Sequence, residues 1–517
     1  MKTNTALCEI LLKTSHLLAM VLKGNSVNIL TLQTQKINNE NEKQVITDLL
    51  FNTLRDYYFG DYILSQLVPN LQNLYSNKNL QIRALLVLTL SALKNDNKYN
   101  NKEFVVVNEC IKAVKKLNYK MAGFCNAILR NFLRQQNKFL SLKNSNKFNH
   151  NLNYNLQQAN ESQLQLQLQL QSQLQLQSQL QLQFKYSHPF WWIEKLQQQF
   201  KNNDDVLQIL DAGNSPPPMN LRINLLQTNK EKYSLLLKKF CENLVENLQN
   251  TNLRTNFDTI FDANFATNLD NDYSIYVKKP IAKSNIPNYN NGDVSIQDFA
   301  AQLANEYLFN NIQNNAEVMQ KFANKNGIFV LDACAAPGNK TAHLIEKFIK
   351  IFPNKKLNLI ACELDKNRCE SINKNLQRLN LTTQNYPLLN VKILHQDCQN
   401  FHENYHNFFD IILADVPCSA SGVVRRNPDI KWLRKADDIA KFAKQQQQII
   451  QSLWKLLNNN FGVFFYATCS VFAEENTLQI QKFLDNYKDE ASLKFQKLLL
   501  PTNTHDGFFY SCLLKNK

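Results

Sequence analysis

Apolar residues recur at three-to-four spacing through the first part of the chain, in Ile82-Arg-Ala-Leu-Leu-Val-Leu-Thr-Leu-Ser-Ala-Leu93 and again from Val105 to Leu117. That period puts one apolar stripe on each helix, so residues 1–147 are expected to form an all-helical domain. The pattern then changes. Between Asn149 and Gln183 leucine alternates with glutamine almost without charge, as in QLQLQLQLQSQLQLQSQLQLQ. Period two formally reads as a strand, but a repeat this pure marks a low-complexity insertion prone to β-aggregation, and residues 148–184 are assigned to a linker. A mixed region follows over 185–300, in which the run Pro216-Pro-Pro-Met-Asn-Leu-Arg-Ile-Asn224 sets an extended bend ahead of a strand. From Gly327 short apolar runs alternate with helix-length segments: Ile328 to Ala333, Leu357 to Cys362, Val391 to Leu394, Ile411 to Ala414 and Gly462 to Ala467. Strand, turn and helix in repetition predict a mostly parallel, doubly wound α/β sheet within residues 301–517.

Composition narrows this multidomain picture. At 517 residues the chain exceeds one hydrophobic core, which implies two or three domains. Eleven cysteines lie scattered, and no Cys-x-x-Cys pair or Cys/His cluster has the spacing of zinc ligands, so neither a disulfide framework nor a metal site is expected. The apolar runs of MKTNTALCEILLKTSHLLAMVLKG are broken by Lys13, Ser15 and His16, and no 18-residue apolar segment occurs. The expectation is a soluble, cytoplasmic monomer without a membrane partner.

The formal net charge is +15, and its placement says more than its sum. The first 150 residues hold 20 Lys/Arg against 9 Asp/Glu, and between Cys110 and Asn160 there are nine basic residues and no acidic one. Such a patch attracts phosphate backbones with a salt-dependent affinity. Lys112, Lys115, Lys116, Arg130 and Arg134 are its candidate nucleic-acid contacts.

The chemistry concentrates at the expected strand ends. Phe329-Val-Leu-Asp-Ala-Cys-Ala-Ala-Pro-Gly-Asn-Lys-Thr341 follows the first strand and opens a helix; small residues there let a ligand approach the backbone at a helix N-terminus. Glu363 ends the next strand, where a carboxylate in a Rossmann-like sheet grips a ribose diol. Asp397 closes the third strand and Asp415 the fourth. Two cysteines, Cys418 behind Pro417 and Cys469 between Thr468 and Ser470, follow strands that should lie side by side, which suggests covalent chemistry by a pair of thiols. Cys334 also follows a strand, but its expected job is packing. Residue types alone do not say which thiol attacks.

The strings CAAPGNKT, DVPCSASGVVRRNPDIKW, YATCSVFAEEN and DGFFY resemble, in order and spacing, the motif set of RNA cytosine-5 methyltransferases of the RsmB (Sun, Fmu) type. SHPFWW, PPPMNLRIN, GDVSIQDFAAQLA and Phe124-Cys-Asn-Ala-Ile-Leu-Arg130 extend the resemblance over nearly the whole chain outside the Leu/Gln segment. It implies an all-α NusB-like N-terminal domain, a small α+β RRM-like subdomain, and a C-terminal Rossmann-like domain that uses S-adenosylmethionine. The implied reaction is methylation of carbon 5 of a cytosine in 16S ribosomal RNA, by resemblance cytosine 967. Carbon 5 of cytosine is a weak nucleophile, so a thiolate must first add at carbon 6 and make carbon 5 enamine-like. The resemblance gives that attack to Cys469 and the breakdown of the adduct to Cys418. It gives the cofactor to Cys334, Ala335, Ala336, Pro337, Gly338, Asn339 and Lys340, with Glu363 on the ribose hydroxyls, Asp397 on the adenine, and Asp415 between cofactor and base. Arg425, Arg426 and Lys431 are expected to meet RNA phosphates, and Trp432 to pack.

Two departures stand out. Asn339 replaces the second glycine of the family's Gly-Gly-Lys, tolerable because asparagine accepts a left-handed backbone better than other non-glycine residues. Val416 replaces the alanine of Asp-Ala-Pro-Cys, a small steric change. The rivals are methylation of tRNA or another rRNA site, against which the NusB-like N-terminus argues, and a non-catalytic RNA-binding factor that kept the fold. A DNA cytosine methyltransferase would need only the Pro-Cys thiol.

Overall fold

The computed structural model describes residues 6–26, 40–68, 74, 76–94, 102–144, 181–247, 261–262, 273–278 and 280–516; the Leu/Gln segment up to residue 180 lies outside them. The described residues up to Ser215, together with Val424–Ala436, form one compact unit, and the remainder a second.

The first unit is helical. Its elements are α1 (Leu7–Leu22), α2 (Glu40–Arg55), α3 (Tyr57–Leu67), α4 (Leu80–Lys94), α5 (Glu103–Leu117), α6 (Ala122–Asn144), α7 (Phe190–Gln199) and α8 (Asn203–Asn214). Helix α4 is apolar on nearly every side, with Ile82 and every residue from Ala84 to Leu93 buried. A helix of that kind belongs at a centre, and α4 packs against α1, α2, α3, α5 and α6. Burying each leucine contributes about 1.5–3 kcal/mol. Helix α5 is amphipathic instead: Val106, Val107, Cys110, Ala113 and Val114 face the core, while Lys112, Lys115 and Lys116 stay exposed.

The segment Val424–Ala436 returns to this unit from far along the chain. Trp432 packs its ring 4.7 Å from that of Tyr57 and 4.8 Å from that of Tyr58. Arg55 Nη2 donates to the Arg425 carbonyl at 2.8 Å, and Lys431 Nζ donates to Asn214 Oδ1 at 2.8 Å.

The second unit contains two sheets. The smaller comprises β1 (Met219–Ile223), β2 (Phe261–Asp262), β3 (Ser274–Val277) and β4 (Val294–Ile296), antiparallel in the order β2-β3-β1-β4. Helix α9 (Lys230–Asn247) covers it, with Tyr233 and Leu237 in a shared core with Leu221 and Ile275. Helices α10 (Phe299–Gln313) and α11 (Ala316–Ala323) lead into the larger sheet. There β5 (Gly327–Asp332), β6 (Lys356–Glu363), β7 (Leu389–His395), β8 (Ile411–Asp415), β9 (Val463–Thr468), β10 (Ala491–Leu499) and β11 (Phe508–Lys515) take the order β10-β11-β9-β8-β5-β6-β7. The five strands from β7 to β9 run parallel, and β11 and β10 are antiparallel additions. Crossovers are α12 (Asn339–Ile351), α13 (Lys366–Arg378) and α14 (Ala436–Leu456), and α15 (Thr477–Asn486) precedes β10. Chain order reverses between β5 and β8, so a crevice opens at their carboxyl ends, where open α/β sheets bind ligands. Buried Arg222 on β1 ties the smaller sheet to α12 by donating to Gln297 Oε1 at 2.8 Å and pairing with Glu346.

Candidate active site at the strand ends

The turn after β5 carries the first half of the site. Gly338 has φ of 90°, and a Cβ there would stand 3.1 Å from Ile372 Cα. The left-handed position of the turn is therefore this glycine. Asn339 needs no such tolerance, because it is the first residue of α12 and its side chain accepts from Asn375 Nδ2 at 3.1 Å. Beneath the turn, Asp332 is buried; it accepts from Thr341 Oγ1 at 2.7 Å through Oδ2, and its Oδ1 has no hydrogen-bond partner. Burial lifts the Asp332 carboxyl to about 7. Sequence reasoning passed over this residue, although it ends its strand as Glu363 and Asp415 end theirs.

Glu363 is buried at the end of β6. It accepts from the Ala336 amide at 3.2 Å, the Asp365 amide at 3.2 Å and Arg368 Nη1 at 3.3 Å. Asp397 follows β7 and accepts from the Gln399 amide at 2.9 Å. Cys334 is half-buried, and a hydrogen bond with Cys398 together with burial pushes its thiol well up, which suits packing. A turn of small residues, an orphaned buried carboxyl oxygen and an ordered carboxylate at the next strand end fit a nucleoside-bearing cofactor along β5 and β6.

The second half lies one strand over. Asp415 and Ala467 are register partners in the β8–β9 pair, so the loops that follow leave the sheet side by side. They bring Cys418 Sγ to 3.3 Å from Cys469 Sγ across 51 residues of sequence. Lys340 Nζ donates to Asp415 Oδ2 at 2.6 Å and stands 5.1 Å from the centre of the Phe508 ring. Burial opposes the Lys340 charge, yet Asp415 and the Cys469 sulfur lift the ammonium above its usual value. The Cys418 thiol is held well above its ordinary value by its hydrogen bond to Cys469, then by burial, with Glu475 adding to the effect. Two sulfurs in contact, one kept protonated, with an ammonium–carboxylate pair beside them, form a site for covalent addition of a thiolate.

The basic residues divide. Lys112, Lys115, Arg130 and Arg134 are exposed on α5 and α6; Lys112 pairs with Glu109 at 2.6 Å and Lys116 pairs with Glu9. Arg425 and Lys431, expected on phosphates, are each only 1% exposed. Both are structural: their segment is folded into the helical unit, where Lys431 meets Asn214 and Arg425 meets Ser215 and Arg55. Arg426 is half-buried. The other groups missed from sequence are Ser419, Ser470 and Glu475, buried behind the cysteines; the signal for the two serines was that each directly follows a thiol.

Known proteins resemble the chain at every level. Residues 319–514 match the family described as 16S rRNA methyltransferase RsmB/F. Residues 188–243 match its ferredoxin-like domain and residues 5–134 the NusB family. The ribosomal RNA small subunit methyltransferase B of Proteus mirabilis is 30% identical, with both chains covered in full. That of Pasteurella multocida is 29% identical over 98% of this chain and 97% of its own. The crystal structure of PH0851 shares the fold, with a TM-score of 0.60 at 18% identity and both chains covered in full. A helical NusB-like domain, a ferredoxin-like sheet and a methyltransferase sheet in one chain, with end-to-end similarity to such enzymes, place this protein in the RsmB family of 16S rRNA methyltransferases.

Proposed function

We propose that the protein methylates carbon 5 of a cytosine in 16S ribosomal RNA through a covalent adduct between Cys469 and carbon 6 of the base, cytosine 967 being the target that the resemblance implies. The observation that carries this reading is the contact of the two sulfurs at 3.3 Å beside Lys340 and Asp415.

When bound, S-adenosylmethionine supplies the methyl group, and Gly338, Glu363 and Asp397 are the residues that would hold it. The protein's own groups do the rest. The attacking group is Cys469 as its thiolate, the form of cysteine that is nucleophilic, with the Cys418 sulfur in contact at 3.3 Å. That thiolate adds at carbon 6, forming a C–S bond and pushing electron density onto carbon 5. Asp415, held by Lys340, accepts from the exocyclic amine of the base. After methyl transfer, carbon 5 must lose its proton and carbon 6 its sulfur. Cys469 is by then a thioether, so the hydrogen bond between the two thiols, the largest cause that raised Cys418, is gone. Cys418 can then release its own proton to solvent and, as a thiolate, take the proton from carbon 5; the C5–H electrons re-form the carbon 5–carbon 6 double bond and the C–S electrons return to Cys469. The base must be unpaired or flipped to reach this site.

The test is methyl transfer from labelled cofactor to 16S RNA by the wild type, Cys469→Ala and Cys418→Ala. Cys469→Ala should be inactive, and Cys418→Ala should trap a protein–RNA adduct on a denaturing gel. Transfer surviving in Cys469→Ala sinks the assignment. Methylation of tRNA in place of small-subunit RNA would move the reading to the rival substrate.

A further inference from the structure

We propose that Glu475 is a positioning residue for this reaction, its buried carboxylate holding the loops of Cys418 and Cys469 in one frame so that the two sulfurs stay in contact. The inference rests on the two-thiol reading above and deepens it.

Glu475 lies in a short turn of 3-10 helix after β9 and is fully buried. Its Oε1 accepts from the Ser419 amide at 2.7 Å and from Gln446 Nε2 at 3.2 Å. Its Oε2 accepts from the Ser419 hydroxyl at 2.6 Å and the Ser470 hydroxyl at 2.5 Å. Ser419 follows Cys418 and Ser470 follows Cys469, so one carboxylate grips the residue next to each thiol. Gln446 also donates to the Pro417 carbonyl at 2.9 Å, which closes the grip from the other side of Cys418.

Further bonds lock the same two loops. The Ser421 hydroxyl meets that of Ser470 at 3.0 Å and accepts from the Val471 amide at 2.9 Å. The Gly422 amide donates to the Cys469 carbonyl at 2.8 Å. Asn476 Nδ2 donates to the Ser470 carbonyl at 2.8 Å and its Oδ1 accepts from Thr468 Oγ1 at 2.6 Å. Every group named around the carboxylate is neutral, so hydrogen bonds alone stabilise it. Burial still leaves its carboxyl above the usual range. An anion kept in that position is expensive. Here it joins two segments 56 residues apart in sequence at the chemistry itself, and its charge helps to keep Cys418 a thiol.

Glutamine at position 475 has nearly the same volume but replaces one acceptor oxygen with an NH2 group. Two donors on that side would then face a donor, and the loops must part. Displacement of reacting groups by about 1 Å costs on the order of 100-fold in rate. In the full-length protein, Glu475→Gln should lower kcat about 100-fold while the KM values for RNA and cofactor stay within about twofold. Glu475→Asp keeps the acceptors on a shorter arm and should recover part of kcat.

A second readout is independent of turnover. Diamide takes the two thiol hydrogens and is reduced to its hydrazine, leaving a Cys418–Cys469 disulfide that peptide mapping detects. The wild type should form it readily and Glu475→Gln more slowly, with cofactor affinity unchanged as the check of folding. If Glu475→Gln does not fold, Ser470→Ala, which removes one arm of the grip, should show both effects in weaker form. A folded Glu475→Gln with wild-type kcat, or with an unchanged rate of disulfide formation, overturns the inference. Activity surviving in Cys469→Ala would instead overturn the two-thiol reading, and the two failures are thereby distinct.

Discussion

The helical unit and the crevice of the methyltransferase sheet both bury hydroxyl groups, and they use them differently. In the helical unit the buried hydroxyls of Thr14, Thr53 and Thr89 donate to the carbonyl four residues earlier on their own helix, to Ile10, Leu49 and Leu85, each at 2.7 Å. These bonds satisfy each group within its own helix, and only Thr89 of the three also meets a neighbouring helix, at the Cys110 thiol. Behind the cysteines, by contrast, Ser419, Ser421, Ser470 and Glu475 join segments about 50 residues apart. The first region keeps its shape by apolar packing, and the second by polar groups that must all be satisfied together. Buried polar networks are costly when broken, so they persist where geometry matters more than stability.

That contrast can be broken or sharpened by four substitutions. The largest effect is expected from Cys469→Ala, which should reduce methyl transfer by at least about 1000-fold with little change in Tm, measured with labelled cofactor. Next, Lys340→Met leaves Asp415 without its ammonium and should lower kcat about 100-fold in a single-turnover assay; a loss confined to KM would make the pair a binding device.

The third is a pH test. Asp332 has its carboxyl raised to about 7 in the folded state, against about 3.9 in the unfolded chain. Its stabilisation is fully present below the unfolded value and is lost as pH rises through the folded one. Wild-type Tm should therefore fall between about pH 4 and 7 by an increment that Asp332→Asn removes. Parallel Tm–pH curves for the two proteins would refute it. The smallest effect belongs to the helical unit: Thr89→Val should change stability by less than about 1.5 kcal/mol and leave activity alone, by thermal melting and the same transfer assay. A large activity loss there would erase the contrast.

The same difference decides what could be read from sequence. The strands β5, β6, β8 and β9 were legible within about two residues because each is an apolar run that stops at a small or acidic residue. Strand β10 was not, since ASLKFQKLL is a largely exposed edge strand whose lysines blur the alternation. Strand β11 is buried throughout, and such a run carries no period. In the candidate site the two cysteines stood out because each follows a strand. Glu475 carried no such mark, because a charged side chain reveals its burial only through partners distant in sequence. Arg425 and Lys431 misled for the same reason: basic residues near a catalytic motif suggest phosphate, and the Asn214 that holds Lys431 lies 217 residues away.

The return of Val424–Ala436 to the helical unit also bears on how the protein is made. That unit begins to leave the ribosome first, yet the ring that packs on Tyr57 and Tyr58 belongs to Trp432. About 200 residues separate Ser215 from Val424, so at 5–20 residues per second the nascent helices wait about 10–40 s for their last piece. During that interval Tyr57 and Tyr58 lack the Trp432 ring, and Arg55 lacks the Arg425 carbonyl. The piece that ends the wait is synthesised only after the Cys418 loop.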